Sequence, residues 1–369
     1  METIAIIGIG RLGLCLALNL ERAGYHVIGL DVNTGYVNDI NSKVINSLEP
    51  FVNDYLNSSR NLKATTNAEE ILDENIQLIF IVVPTPSLPD GTFDHHHVDD
   101  AVNALVKHGR QQTQKHLIIN STTIPGYCDA LHERIHYLNY TVSYNPEFIA
   151  QGSIIENQQY PDQVLIGEAT EEAGDLIENI YKKLCKNTPV FCRMKRVSAE
   201  ITKLATNCFL TTKISFANAI GDLAIKANAE PEKILQAIGS DSRIGNKYFK
   251  YGFGYGGPCF PRDNKAFTTF ASNQNYNMLI SEATDRANAV HSDFLFDTWT
   301  QEYETDEYIV FDSVTYKKGT DILEASQQLK LAVALAQSGK KVKIKESAAV
   351  IKKLIDLYNN LFIYEVNGN

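Results

Sequence analysis

Several features are scarce in this chain of 369 residues. Its six cysteines are scattered, with no pair spaced Cys-x-x-Cys. That argues against a zinc site and for a reducing compartment, so a cytoplasmic location and no metal are expected. No apolar run reaches the ~20 residues that a membrane-crossing helix needs, and no membrane association is expected. The opening M-E-T-I-A-I-I-G lacks a basic stretch ahead of its apolar residues, so it reads as a strand rather than a signal peptide. Positive charge is short too: 34 Lys and Arg face 44 Asp and Glu, a formal charge of −10. General affinity for nucleic acid is not expected, and an anionic substrate would have to be met by particular Lys and Arg residues. The length is great for one core, so two or three domains are expected.

What is present begins at the N-terminus. A short apolar strand over 4–7 runs into Gly8-Ile-Gly10-Arg-Leu-Gly13, then into an apolar-periodic helix to about Ala23. A second strand over 27–30 ends on Asp31. This order is the dinucleotide fingerprint: a tight turn at Gly8, close pyrophosphate approach at Gly10, helix packing at Gly13 and ribose hydroxyls on Asp31. Apolar strands over 78–83, 117–120 and 141–144, with helical stretches such as 98–108 between them, predict a doubly wound parallel sheet. Polar motifs fall at the strands' carboxyl ends: V-P-T-P at 83–86, N-S-T-T at 120–123 and Y-N-P-E-F at 144–148. The run His95-His96-His97 reads as a solvated loop, because three adjacent side chains cannot converge on one ion.

A long helical pattern over 198–228 places Glu200, Lys203 and Asn207 on one face. An exposed ion-pair face is the plain alternative for these three. Downstream, Y-G-F-G-Y-G-G-P-C-F-P-R-D-N-K at 251–265 packs four glycines before Cys259, with Arg262 and Asp263 behind it. Glycine lets backbone approach a ligand closely. A cysteine beside such a loop, flanked by charge, reads as a nucleophile, and a buried structural cysteine is the alternative. A helix is expected over 277–291. A third segment beginning near Asp306 alternates strand, helix, strand, helix, strand: 308–313, 326–337, 342–345, 348–358 and 361–364.

Taken together, G-I-G-R-L-G, V-P-T-P with Asp90-Gly91, S-T-T-I-P-G, N-P-E-F, E-I-T-K-L-A-T-N, R-I-G and G-F-G-Y-G-G-P-C-F-P-R-D resemble the UDP-glucose/GDP-mannose dehydrogenase family, in the family's order and over roughly the first 320 residues. The resemblance implies an α/β chain in three parts. These are a Rossmann-type NAD domain over 1–196, a central long-helix dimerisation region over 197–300 carrying the cysteine loop, and a short nucleotide-sugar-binding α/β domain over 301–369. It implies NAD-dependent, four-electron oxidation of the C6 hydroxyl of a UDP-sugar, UDP-glucose foremost, with UDP-N-acetylhexosamine or GDP-mannose as alternatives. Cys259 would be the nucleophile, with Thr122, Glu147, Lys203 and Asn207 as helpers and Asp263 serving thioester hydrolysis. Beyond the fingerprint, the cofactor would be met by Arg11, Leu12, Pro84, Thr85, Gln151 and Arg262, the last replacing the family's usual lysine. The substrate would be met by Phe148, Ile149, Tyr248, Phe253, Gly256 and Lys317, besides Lys203 and Asn207. Arg243 would reach the substrate of a neighbouring subunit in a homodimer.

Three departures stand out. The family's R-E-G after P-E-F is Ala150-Gln151-Gly152 here. Its F-K-x-x-T-D-D-x-R-E-S reads Y-K-K-G-T-D-I-L-E-A-S at 316–326, without the arginine. The last domain is short. Two other readings stay open at this point: a two-electron β-hydroxyacid dehydrogenase, which would not need Cys259, and a regulatory homologue that only binds nucleotides.

Overall fold

The computed structural model describes residues 2–149, 151–304 and 307–367. The chain forms two compact units, Met1–Lys203 and Leu204–Asn369.

The first unit is built on eight strands: β1 (Thr3–Ile7), β2 (His26–Leu30), β3 (Leu62–Thr65), β4 (Leu78–Ile81), β5 (Lys115–Ile119), β6 (Tyr140–Tyr144), β7 (Gln163–Glu168) and β8 (Val190–Lys195). Between them lie α1 (Arg11–Arg22), α2 (Thr34–Asn41), α3 (Val52–Ser58), α4 (His96–Val106), α5 (Tyr127–Ile135), α6 (Ile154–Gln159) and α7 (Glu171–Leu184). The sheet order is β3-β2-β1-β4-β5-β6-β7-β8. Its neighbours are parallel except β6 and β7, which touch antiparallel at Tyr144 and Gly167. The β4 run L-I-F-I is buried throughout, as a central strand covered on both faces must be. Each face has its own core, one around Ile4, Ile6 and Phe80, the other around Ile7, Ile79 and Leu117. The order reverses between β1 and β4, and in such sheets ligands gather there, outside the strands' carboxyl ends.

The α8 helix (Arg196–Lys226) is 31 residues long and contains the boundary between the units. It ends before Asn228, whose φ of 54° leaves the helical region, and Pro231 then starts α9 (Pro231–Gly239). The second unit continues with α10 (Phe260–Asn273) and α11 (Leu279–Glu302). It closes with β9 (Tyr308–Phe311), α12 (Gln327–Gln337), β10 (Lys341–Glu346), α13 (Ala348–Tyr358) and β11 (Ile363–Val366). These three strands pair in parallel in the order β11-β10-β9. Leu331 and Leu335 of α12 and Leu354 of α13 share one core with Ile309, Phe311, Val342 and Ile344. Serine hydroxyls cap both helices: Ser326 accepts from the Leu329 amide and Ser347 from the Val350 amide.

The histidine run differs from its expected loop. Its second residue already begins α4, and half-buried His95 stacks on Tyr127, ring centroids 4.0 Å apart, while its Nε2 accepts the Ile124 amide. Desolvation holds that imidazole down at about 4. The expected start of the third segment at Asp306, and Ala150 of the A-Q-G triplet, lie outside the described residues.

Candidate active site

In the first unit the glycine fingerprint is a backbone cradle. Gly8 leaves β1 with φ of +87°. A methyl on Gly13 would lie 1.9 Å from the Gly8 carbonyl oxygen, so α1 can sit this close to the turn only with glycine there. At Gly10, the N-cap of α1, a methyl would meet nothing within 4 Å. Asp31 directly follows β2 with its carboxylate fixed: Oδ2 accepts the Ile9 amide at 3.2 Å and Oδ1 the Asn33 amide at 3.0 Å. Open space at Gly10, a helix N-terminus and a held carboxylate fit a dinucleotide's pyrophosphate and ribose. Arg11 donates to Gln151 Oε1 at 2.8 Å, so two residues expected at the cofactor meet from far apart in sequence. Leu12 packs on the core, Pro84 is exposed and Thr85 is buried.

The N-S-T-T loop follows β5. Ser121 Oγ donates to the Val83 carbonyl at 2.7 Å and accepts the Val83 amide at 3.0 Å, tying this loop to V-P-T-P. Glu200 is wholly buried and not part of an exposed ion-pair face. Its carboxylate accepts the Thr123 hydroxyl at 2.9 Å, the Gly126 amide at 2.6 Å and the Cys128 amide at 3.0 Å, so α8 holds the segment carrying Thr122. Lys203, one turn further along α8 and 7% exposed, donates to the Glu147 carbonyl at 2.7 Å and lies 4.5 Å from the Phe148 ring centre. Burial pushes the Glu147 carboxyl up to about 7, against opposing hydrogen bonds from Asn120 and Gln158 and the charge of Lys203. Ile149 packs against the adjoining core.

In the second unit Asn207 and Asp263 are both buried, and Asn207 Nδ2 donates to Asp263 Oδ2 at 2.6 Å. The other Asp263 oxygen has no hydrogen-bond partner among the described residues and faces Arg262 Nε at 3.5 Å, so Arg262 meets a carboxylate of its own unit. Cys259 is exposed and is the N-cap residue of α10, where the helix dipole favours a thiolate.

The glycine loop is pinned by side chains from distant elements. Gly257 has φ of +80°, and a methyl there would lie 2.3 Å from the Tyr316 ring. A methyl on Gly256 would lie 2.1 Å from the Ala325 carbonyl oxygen. Asn218 of α8 accepts the Gly252 amide and donates to the Phe253 carbonyl. Asn288 of α11 accepts the Tyr255 amide and donates to its carbonyl. Sequence reasoning did not reach either asparagine; each serves the loop across more than thirty residues, and no local spacing announces it.

Among the expected substrate residues, Phe253 turns its ring toward Trp299 and Phe311. Tyr248 is half exposed beside Phe260. Lys317 sits in the loop after β9, where its carbonyl accepts the Thr315 and Thr320 hydroxyls. Arg243 is 87% exposed and paired with Asp241 at 2.7 Å.

Residues 2–185 match the NAD binding domain of the UDP-glucose/GDP-mannose dehydrogenase family, and residues 197–290 match its central domain. A UDP-glucose 6-dehydrogenase of Rickettsia bellii is 31% identical over 92% of this chain and 80% of its own length. One from Pseudomonas aeruginosa is 30% identical over 94% and 79%. A UDP-glucose dehydrogenase structure from Pyrobaculum islandicum superposes with a TM-score of 0.88 at 29% identity, covering 100% of this chain and 86% of that one. The fingerprint, the Glu147–Lys203 pair and the cysteine at the head of α10 therefore lie in a chain that belongs to the UDP-glucose/GDP-mannose dehydrogenase family and uses NAD.

Proposed function

We propose that the chain oxidises the C6 alcohol of UDP-glucose to the carboxylate of UDP-glucuronate through a covalent intermediate on Cys259. The observation that carries this is the match, over more than nine-tenths of the chain, to relatives named UDP-glucose 6-dehydrogenase, together with Cys259 at the head of α10. NAD, when bound, accepts the hydride of each oxidation; the fingerprint residues and Arg11, Gln151, Pro84, Thr85 and Arg262 would hold it.

Glu147, titrating near neutrality, takes the alcohol proton, directly or through water with Thr122. The Lys203 ammonium stabilises oxyanions, and Asn207 donates a hydrogen bond to them. The Cys259 thiolate adds to the aldehyde carbon as a thiohemiacetal, and loss of a second hydride leaves a thioester. Water placed by Asp263 cleaves it, freeing the acid and the thiol. Phe148, Ile149, Tyr248, Phe253, Gly256 and Lys317 would shape the sugar-nucleotide pocket. In this reading 1–196 binds NAD, 197–300 carries the nucleophile and 301–369 takes the nucleotide sugar. The test is NADH yield across a panel of UDP- and GDP-sugars. Two NADH per UDP-glucose is expected; one per sugar, or binding without turnover, overturns the reading.

We also infer a cytoplasmic homodimer built on α8. Phe209, Phe216 and Leu223 are 65%, 52% and 63% exposed at seven-residue spacing along it, an apolar stripe suited to a second copy. Arg243 then serves the neighbour's substrate. Mixing inactive Cys259→Ala chains with inactive Arg243→Ala chains should restore activity; no recovery, or a fully active monomer on sedimentation, excludes this arrangement.

A further inference from the structure

His291 lies on α11, 2% exposed, with an acceptor at each ring nitrogen. Nδ1 is 2.9 Å from both carboxylate oxygens of Asp222 on α8, and Nε2 is 2.7 Å from the carbonyl oxygen of Gly252. A carbonyl only accepts, so Nε2 must carry a proton. The Nδ1 contact fixes the ring's orientation against the Asp222 carboxyl.

The surroundings hold this pair in place. The Tyr251 hydroxyl donates to Asp222 at 2.9 Å, and its ring meets His291 edge-on at 5.6 Å. A methyl on Gly221 would lie 1.9 Å from the Tyr251 ring, so this glycine makes room for the tyrosine over α8. Asp222 and Tyr251 are the titratable groups that bond or stack with His291. Burial, then Asp222, then Glu232 of α9 and Glu302 of α11 push the phenol upward, so it stays neutral and donates.

Gly252 opens the loop that ends at Cys259. Its amide is taken by Asn218 and its carbonyl by His291, so α8 and α11 grip the same residue from both ends. We propose that Asp222 and His291 are positioning residues for the Cys259 loop: the Asp222 carboxyl orients the ring, and the ring's Nε2–H holds the Gly252 carbonyl. Without that bond the loop is released at its first residue. Displacement of about 1 Å at a reacting group can cost ~100-fold in rate, so losing the ring should lower kcat far more than it raises KM.

The proposal rests on the reading of Cys259 as nucleophile, so its test has arms that need no turnover. Histidine-selective nitrogen NMR on the wild-type protein should show His291 Nε2 protonated; a bare Nε2 overturns the proposal. Hydrogen exchange at fixed pH should be faster by about tenfold or more in residues 252–259 of His291→Leu, the scale of one lost hydrogen bond; unchanged exchange in a folded variant also overturns it. With UDP-glucose, His291→Leu should lower kcat about 100-fold with little change in KM. His291→Gln, which can donate to Gly252, should recover most of that loss; equal kcat in the two variants rejects the positioning role. If UDP-glucose is not turned over, the proposed substrate fails, while the NMR and exchange results still decide on His291. Should His291→Leu fail to fold, the wild-type NMR decides, together with faster exchange expected over residues 252–259 in Asp222→Asn.

Discussion

The two glycine-rich segments of this protein are built on opposite plans. Gly8–Gly13 is a turn shaped by backbone: Gly13 is confined by the Gly8 carbonyl and Gly8 by the Val82 carbonyl just past β4, and its carboxylate, Asp31, directly follows the next strand. The loop ahead of Cys259 has little local support. Asn218, Asn288, His291, Tyr316 and Ala325 restrain it from four separate places in the chain. In the proposed function the first plan binds the cofactor by backbone shape. The second holds the proposed nucleophile mostly by side chains that can be changed one at a time, and this difference can be tested.

The largest effect should come at the nucleophile. Cys259→Ala is expected to abolish acid production while the first alcohol oxidation survives weakly, since the thiol is needed only for covalent capture. Asp263→Asn should slow hydrolysis instead, so that acid-quenched protein carries an acyl adduct on the peptide containing Cys259. Full acid production by Cys259→Ala would falsify the covalent route and leave the pinned loop without a purpose.

Next in size is Glu147. Its raised carboxyl gives activity an acidic limb near pH 7, because the basic form exists only above that value. Glu147→Gln should lower kcat by roughly 100-fold or more and remove the limb. Stability runs the opposite way. The folded-state value lies above the ordinary 4.5, so this group's contribution is full below about 4.5 and is lost as pH rises to about 7. A melting curve that gains stability over that window through Glu147 would contradict the assignment.

Legibility followed the same division. The fingerprint, the central strands β1, β4, β5 and β6, and the β9–β11 alternation could be read because their signals are local: apolar runs, glycine spacing, helix period. Edge strands β3 (L-K-A-T) and β8 (V-F-C-R-M-K) were not, since an edge needs no continuous apolar run. β7 contains V-L-I, signal enough for a strand, but nothing local specifies its antiparallel contact with β6. The α11 helix runs on to Glu302, past the expected end at His291, because Trp299 still packs against Phe253 and Phe311. Phe253 looked like a substrate residue by motif, yet its aromatic neighbours lie more than forty residues away in sequence.

Smaller effects separate fit from function within the fingerprint. Gly13→Ala forces a methyl to within 1.9 Å of backbone, which cannot turn aside, so a loss of ~1–3 kcal/mol in stability is expected along with weaker NAD binding. Gly10→Ala meets nothing in the protein, so its melting temperature should hold while NAD affinity falls. Equal melting temperatures for both variants would show that the turn is less rigid than its geometry.

The smallest effect is cofactor choice at Asp31. The adenine-side ribose of NAD offers hydroxyls to a carboxylate, whereas NADP places a 2′-phosphate there. The Asp31 carboxylate cannot swing aside without giving up its bonds from the Ile9 and Asn33 amides, and the adjoining Val32 and Asn33 bring no cation. Like charges at contact repel by roughly 4 kcal/mol at an effective dielectric of 20, and screening by salt reduces that. A residue of about 1.4 kcal/mol makes NAD preferred at least tenfold in kcat/KM. Asp31→Asn keeps the size and an acceptor oxygen but removes the charge, so the preference should narrow toward parity while NAD turnover declines only modestly. Comparable kcat/KM for the two cofactors in the wild-type protein would mean that Asp31 shapes the turn after β2 and does not select the cofactor.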